Sequence, residues 1–333
     1  MKRRQLLTLL ALTGTAGCGT SPEPPAAAPA PSPAQRLGSA LATTAPSPSL
    51  SPGPTATPTA SATGKPGVML GSYLALGGKT LRQSLALRRE QLGRDQRIVH
   101  RFYPWDGYVP TAEPDVAGHS MLMVSWHGAP WAGILDGGSD AGIRSVARKL
   151  RDMDRPILLR WGWEMNGDWF PWSGAANGQD PAGYVRVWRR LHRIFAEQDA
   201  GNVSWIWSPN WNSSPDVSWN QMQRYYPGDD YVDWVGVSGY NFYGESPATL
   251  FGPVTRRYGA RKPIILSETA AVSGKAGYIR KLHTWVEDNP AVGAVVWFDT
   301  DIQEGTDHDF RFDTDASALA AYRAMARDPH FNG

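Results

Sequence analysis

The 333-residue sequence holds a single cysteine, Cys18, and that scarcity removes several chemistries at once. Residues 67–333 contain no thiol, so disulfides, a thiolate nucleophile and cysteine metal sites are excluded from that region. An excess of one charge is also missing. Thirty-three Lys and Arg against 31 Asp and Glu leave +2, too little to argue for a nucleic-acid partner. Among Lys/Arg clusters, only the pairs Arg189-Arg190 and Arg256-Arg257 adjoin aromatics, and both read as solvated helix faces. The seven histidines show neither His-Glu-x-x-His nor another close ligand spacing, so no metal is expected. Asp307-His308-Asp309 reads as a loop cap. No Gly-Lys-Ser/Thr follows Gly174 and Gly178, which excludes a phosphate loop, and no cofactor is expected.

What is present falls into three zones. Residues 1–19 open on Lys2, Arg3 and Arg4. The mostly apolar run Leu6–Thr15 comes next and is too short to span a bilayer, the pattern of a signal peptide. Arg3-Arg4-Gln5-Leu6-Leu7 resembles a twin-arginine export signal, and an ordinary export signal fits as well. Thr15-Ala16-Gly17-Cys18 resembles a bacterial lipobox, with Thr15 where Leu is usual. Cys18 is therefore the expected lipidation site, with plain secretion as the alternative. Either way the location is extracellular or at the cell surface, with membrane contact only through a lipid at Cys18. Residues 20–66 are dominated by Pro, Ala, Ser and Thr and contain no aromatic residue. Such a segment buries too little apolar surface to fold and reads as an extended linker.

Residues 67–333 hold all 15 tryptophans and alternate apolar strand-like runs with helix-like segments. Strands are expected at 68–72, 97–102, 121–125, 157–162, 203–207, 234–238, 264–267 and 294–298. Eight runs over this length predict an α/β fold closed as a (β/α)8 barrel in a single catalytic domain, expected to be monomeric. One helix is legible in detail. Asp180 suits an N-cap and Pro181 the first turn. Val185, Trp188, Leu191 and Phe195 recur at helical spacing, and Gly201 ends the pattern. Trp188 is thereby assigned to the core.

In such a barrel, reactive groups gather where strands end and the next loops begin. Two apolar runs end in a carboxylate: residues 157–163 at Glu164, and residues 262–267 at Glu268. Leu158, Arg160, Gly162 and Glu164 share one parity, as do Ile264, Leu266 and Glu268, so alternation lets both sets face the barrel axis. Two strand-end carboxyl groups among aromatics suit cleavage of a glycosidic bond. One, protonated, assists the leaving group. The other, ionised, attacks the anomeric carbon from roughly 5–5.5 Å away, with retention of configuration. Glu164 is assigned as acid/base and Glu268 as nucleophile.

Trp163-Glu164-Met165-Asn166-Gly167-Asp168-Trp169-Phe170-Pro171-Trp172 resembles the acid/base motif of glycoside hydrolase family 26. Pro263-Ile264-Ile265-Leu266-Ser267-Glu268 resembles its nucleophile motif, residues 231–241 its sixth strand, and residues 309–331 its carboxy-terminal end. The resemblance implies a retaining (β/α)8 hydrolase of β-linked polysaccharides, a family that includes β-1,4-mannanases, mixed-linkage β-glucanases and β-1,3-xylanases. It further implies that Tyr240 positions the nucleophile and that Trp297 forms the floor under the sugar at the cleavage point. One position departs: the family commonly has His before the acid/base, and here Trp163 stands there. That weakens the case for mannan and leaves Trp163 either stacking on a sugar or filling space.

Sugars present apolar C–H faces to aromatic rings and hydroxyls to polar groups. Trp126, Trp131, Trp169, Trp172, Trp211 and Tyr243 fall in expected loops or strand ends on the catalytic face, with Trp126, Trp169 and Trp297 the strongest candidates. His127, Arg160, Trp163, Asn166 and Trp172 complete the expected substrate-binding set, Arg160 also suiting a partner for Glu268 or a brace for the barrel. Trp205, Trp207 and Trp234 are assigned to packing, and His192 and His283 to structure. The expected activity is hydrolysis of β-1,4-mannan or mixed-linkage β-1,3-1,4-glucan. A polysaccharide-binding lipoprotein without turnover and an exopolysaccharide transglycosylase remain as alternatives.

Overall fold

The computed structural model describes residues 67–303 and 307–333. The expected signal peptide, the linker and Cys18 lie outside the described residues. The described chain forms β1 (Met69–Ala75), β2 (Ile98–Tyr103), β3 (Met121–Trp126), β4 (Ile157–Trp161), β5 (Val203–Trp207), β6 (Trp234–Asn241), β7 (Ile264–Ala271) and β8 (Val292–Thr300). These strands pair in chain order into a closed parallel barrel, with β8 returning to β1 over seven registered residue pairs. The helices are α1 (Leu81–Leu92), α2 (Ala132–Leu135), α3 (Asp140–Asp152), α4 (Pro181–Glu197), α5 (Pro247–Tyr258), α6 (Lys275–Glu287) and α7 (Ala316–Arg327). The fold is the expected (β/α)8 barrel. Among the described residues, however, β2 leads to β3 without a helix, and β5 leads to β6 through short 3₁₀ turns only.

Alternation along each strand sorts side chains into two layers. Ile98, Met123, Leu158, Ile206, Ile265 and Val296 fill the barrel interior. The intervening residues, such as Leu122, Leu159, Val235, Leu266 and Val295, face outward into the layer beneath the helices. The helix foreseen from Pro181 onward is α4, which buries Tyr184, Val187, Trp188, Leu191 and Phe195 in that layer. It stops at Glu197, before Gly201. The carboxylate of Asp180 makes no capping hydrogen bond and instead accepts from Arg186 at 2.9 Å.

Two irregularities position the candidate site. The pairing of β6 with β7 runs Val237 opposite Leu266 and then Ser238 opposite Glu268, so Ser267 is an extra residue in β7. A bulge of this kind bends the strand and re-aims the side chains beyond it. The expected parity for β7 is thereby corrected: Ile265 points inward and Ile264 and Leu266 outward. Glu268 reaches the barrel mouth because of the bulge, not through regular alternation. The second irregularity is the exit of β4, where Gly162 (φ 50°) and Glu164 (φ 53°) both adopt left-handed backbone.

Candidate active site

Left-handed backbone costs an ordinary residue roughly 1–2 kcal/mol, and such strain persists where surroundings over-determine it. At Glu164 those surroundings are specific. Its amide donates to the Ser208 carbonyl at 2.8 Å, and its carbonyl accepts from Gly167 at 2.9 Å. Asn166, fully buried, ties the same turn to the loop after β5. Its side chain accepts from the Asn210 amide at 2.8 Å and donates to the Asn210 carbonyl at 3.0 Å. Asn166, expected to meet substrate, is thus committed to holding the loop that carries Glu164.

The two carboxyl groups have different surroundings. Glu164 is 1% exposed, and its Oε2 accepts from the Trp169 indole at 2.9 Å. Burial, then the Glu268 carboxylate nearby, push its pKa up to about 8, while Arg160 pulls the other way. Both causes disfavour the charged form, so Glu164 keeps its proton near neutrality. Glu268 instead sits among donors. Arg160 Nη2 donates to its Oε1 and the Tyr240 hydroxyl to its Oε2. Burial, and after it the charge of Glu268, holds the Tyr240 phenol protonated well above its ordinary range, so it remains a donor.

Arg160 is fully buried and fixed from three sides. Its Nε donates to Ser125 Oγ at 2.7 Å and its Nη1 to Ser238 Oγ at 3.3 Å. Its guanidinium lies 4.7 Å from the centroid of the Trp163 ring, a cation–π contact. His100 Nε2 in turn bonds Ser125 Oγ at 2.6 Å. Burial and then Arg160 push the His100 pKa well below the ordinary histidine value, so it stays neutral beside the cation.

Trp163 fills space. It is 2% exposed and packs with Phe170 and Trp172. Trp172 is also buried, stacked on Phe170 at 4.3 Å with its indole donating to the Trp163 carbonyl at 2.7 Å. Neither ring offers an open face to a sugar. His127 packs edge-on against Trp163 at 5.3 Å and lies beside Trp172. Burial, then Arg160, lower its pKa to about 4, leaving a neutral imidazole at this edge of the site.

Two of the strongest aromatic candidates are corrected. Trp126 and Trp297 have outward parity. Trp126 stacks on Trp105 at 4.5 Å and approaches Phe195 of α4. Trp297 meets Tyr278 of α6 and Tyr322 of α7, and its indole donates to the Phe310 carbonyl at 2.8 Å. Phe298, one residue on, takes the inward place. It stacks on Tyr73 at 4.9 Å and meets Tyr240 edge-on at 5.6 Å. Trp131 is likewise core, against Tyr184. Trp169 keeps a half-buried ring beside Glu164, and Tyr243 is 75% exposed. Ser125, Ser238, Tyr73 and Phe298 were missed by sequence reasoning. Period-two counting from Met69 and Ala294 leads to Tyr73 and Phe298, whereas short serines on apolar strands carry no signal.

Among the described residues, one group of possible metal ligands converges: His283, Glu287 and Asp328. They belong to the C-terminal half of α6 and the residue after α7, and His283 Nε2 lies 3.2 Å from Asp328 Oδ2. This is a hydrogen-bonded cluster at the C-terminal ends of α6 and α7, away from the strand ends that carry Glu164 and Glu268. Asp309 is engaged by the Arg311 amide and guanidinium, the loop-capping role expected for it.

Residues 138–308 match the family model described as glycosyl hydrolase family 26, a stretch that contains both Glu164 and Glu268. Endoglucanase H of Acetivibrio thermocellus is 30% identical over 282 residues, covering 77% of this chain and 30% of that protein. Mannan endo-1,4-beta-mannosidase A and B of Caldalkalibacillus mannanilyticus is 28% identical over 155 residues, covering 45% of this chain and 28% of that protein. The matches thus span less than a third of these curated relatives. Among solved structures, a GH26 beta-mannanase from Bacteroides ovatus superposes with a TM-score of 0.61 at 17% identity, covering 80% of this chain and 90% of that one. That likeness bears on the fold.

Proposed function

Because the chain belongs to glycosyl hydrolase family 26, we propose that it is a retaining endo-β-glycanase that hydrolyses a β-linked polysaccharide. The observation that carries this reading is the contrast between the two carboxyl groups: Glu164 buried and holding its proton, Glu268 accepting from Arg160 and Tyr240. A carboxyl that keeps its proton, beside one that accepts from an arginine and a tyrosine, divides acid from nucleophile. Glu268 attacks the anomeric carbon as the Glu164 proton passes to the departing glycosidic oxygen. The C–O bond breaks and a glycosyl ester forms on Glu268. Water then attacks the same carbon, giving its proton to the Glu164 carboxylate, and Glu268 is released.

The substrate favoured is a mixed-linkage β-glucan or a β-1,4-mannan. The glucan reading draws support from the long match to a protein named an endoglucanase. The mannan reading draws support from several relatives named mannan endo-1,4-beta-mannosidase. The export signal and the anchor expected at Cys18 set this activity outside the cell membrane, a reading that rests on the sequence of residues 1–19.

The test is incubation of the full chain and its Glu268→Ala variant with soluble β-glucans, β-mannans and β-xylans, with products read by chromatography. Oligosaccharides from one polymer, lost by about four orders of magnitude or more in the variant, are expected. Turnover that persists in Glu268→Ala overturns the mechanism. Binding to a polymer by wild type without turnover supports a binding protein instead.

A further inference from the structure

The loop after β6 carries a row of aromatic rings outward from the nucleophile. Tyr240, which donates to Glu268, stacks on Phe242 at 5.6 Å with 25° between planes. Phe242 adjoins Tyr243 at 6.3 Å and His308 at 5.8 Å. Phe242 is half-buried, whereas Tyr243 is 75% exposed. A lone exposed apolar residue is ordinary and calls for no explanation. Tyr243 differs because its turn is fixed. Its amide donates to Glu245 Oε2 at 2.8 Å, and the Gly244 amide donates to Asn241 Oδ1 at 2.7 Å. Gly244 has φ 100°, a conformation that favours glycine. Two side-chain bonds and a glycine thus order a turn whose ring faces water, in continuity with the residue that holds the nucleophile.

We propose that Phe242 and Tyr243 form a sugar subsite that binds a pyranose ring of the substrate beyond the two joined by the cleaved bond. This deepens the reading of the site as a glycanase and rests on it. The occupant is a unit of a β-linked glycan, whose flattened chain exposes apolar C–H faces between equatorial hydroxyls. The tyrosine ring meets such a face, and its exposed edge leaves the hydroxyls in water. A ring on a pre-ordered turn loses little freedom on binding. Subsites remote from the reacting carbon make a long substrate better than a short one.

The experiment compares kcat/KM on oligosaccharides of increasing length, cut from the polymer that wild type cleaves, for wild type, Tyr243→Ala, Tyr243→Phe and Tyr108→Ala. Tyr108, also exposed, lies over Lys149 in the β2–β3 connection and is the control. Tyr243→Ala is expected to cut the advantage of long over short substrates by about tenfold, and Tyr243→Phe and Tyr108→Ala to keep it. A wild-type length preference in Tyr243→Ala overturns the subsite while leaving the glycanase reading intact. If wild type cleaves no polymer, the glycanase reading fails separately. Retardation in polysaccharide-containing gels then reads the subsite directly. Retardation of wild type that weakens in Tyr243→Ala supports it, and equal or absent retardation overturns it.

Discussion

Glu164 combines three costs in one residue: a left-handed backbone, a buried carboxyl and a neighbouring carboxylate. The last two raise its pKa to about 8, and the sign of that shift fixes two measurable consequences. In the proposed mechanism Glu164 must carry its proton to assist the leaving group, so kcat/KM should fall on the alkaline side with an apparent pKa near 8. The same shift bears on stability. The folded state holds this proton more tightly than the unfolded chain. The resulting stabilisation is complete below the ordinary glutamate value of 4.5 and is lost as pH rises through about 8. Glu164→Gln has no proton to lose. Its melting temperature should pull ahead of wild type between those limits and hold the gain at higher pH. A gap that stays constant from pH 4 to 9 would contradict the assignment of the shifted group. Glu164→Gln on an activated aryl glycoside, whose leaving group needs no proton, should retain more activity than on polysaccharide.

At the scale of elements, the exit of β4 separates backbone strain from packing. A Cβ built on Gly162 meets Trp172 at 3.6 Å, an ordinary contact, so the cost of Gly162→Ala lies in its φ of 50°. Chemical denaturation should show a loss of about 1–2 kcal/mol. Gly142, exposed in α3 with nothing near its missing side chain, should gain a few tenths to about 1 kcal/mol on the same change. Equal effects at the two glycines would place the β4 exit outside the left-handed region. These elements also show where sequence reading holds and where it stops. Strand positions were legible because apolar runs bounded by polar loops are dictated by burial. All eight expected runs overlap the observed strands. Direction within a strand was legible on β4, where Leu158 and Arg160 face inward as alternation requires. It failed on β7, because a single inserted residue such as Ser267 leaves the apolar pattern unchanged while reversing every later side chain. Trp126 and Trp297 were misplaced for a related reason. A tryptophan near a strand end satisfies a sugar platform and an outer core equally well in sequence, and only parity counted from a fixed neighbour distinguishes the two.

For the molecule as a whole, a barrel is stable only when its last strand is locked to its first. The lock is polar as well as apolar. Arg88 of α1, fully buried, donates from Nε and Nη2 to the two oxygens of Asp299 on β8 at 2.7 and 2.8 Å. Its Nη1 reaches Asp313 at 2.6 Å, and Phe312 lies 4.3 Å under the guanidinium. The pair therefore joins the first helix to the last strand and to the segment that leads into α7. Burial pushes the Asp299 pKa up to about 6 even with Arg88 pulling it down, so the carboxylate depends on this cation near neutrality. Removing one member of such a pair strands a buried charge, which costs about 3–5 kcal/mol, while replacing both with apolar groups is far cheaper. Arg88→Leu should therefore lower the urea midpoint steeply, and Arg88→Leu with Asp299→Leu should recover part of the loss. Asp299 directly succeeds Phe298, whose ring lies against Tyr73 and against Tyr240, the donor to Glu268. The single variant should accordingly lose kcat/KM at temperatures well below its melting point, because Phe298 depends on the place of its neighbour Asp299. A single variant within about 1 kcal/mol of wild type would show that apolar packing alone closes this barrel, whereas a double variant less stable than the single would show that Asp299 holds the barrel through contacts other than Arg88.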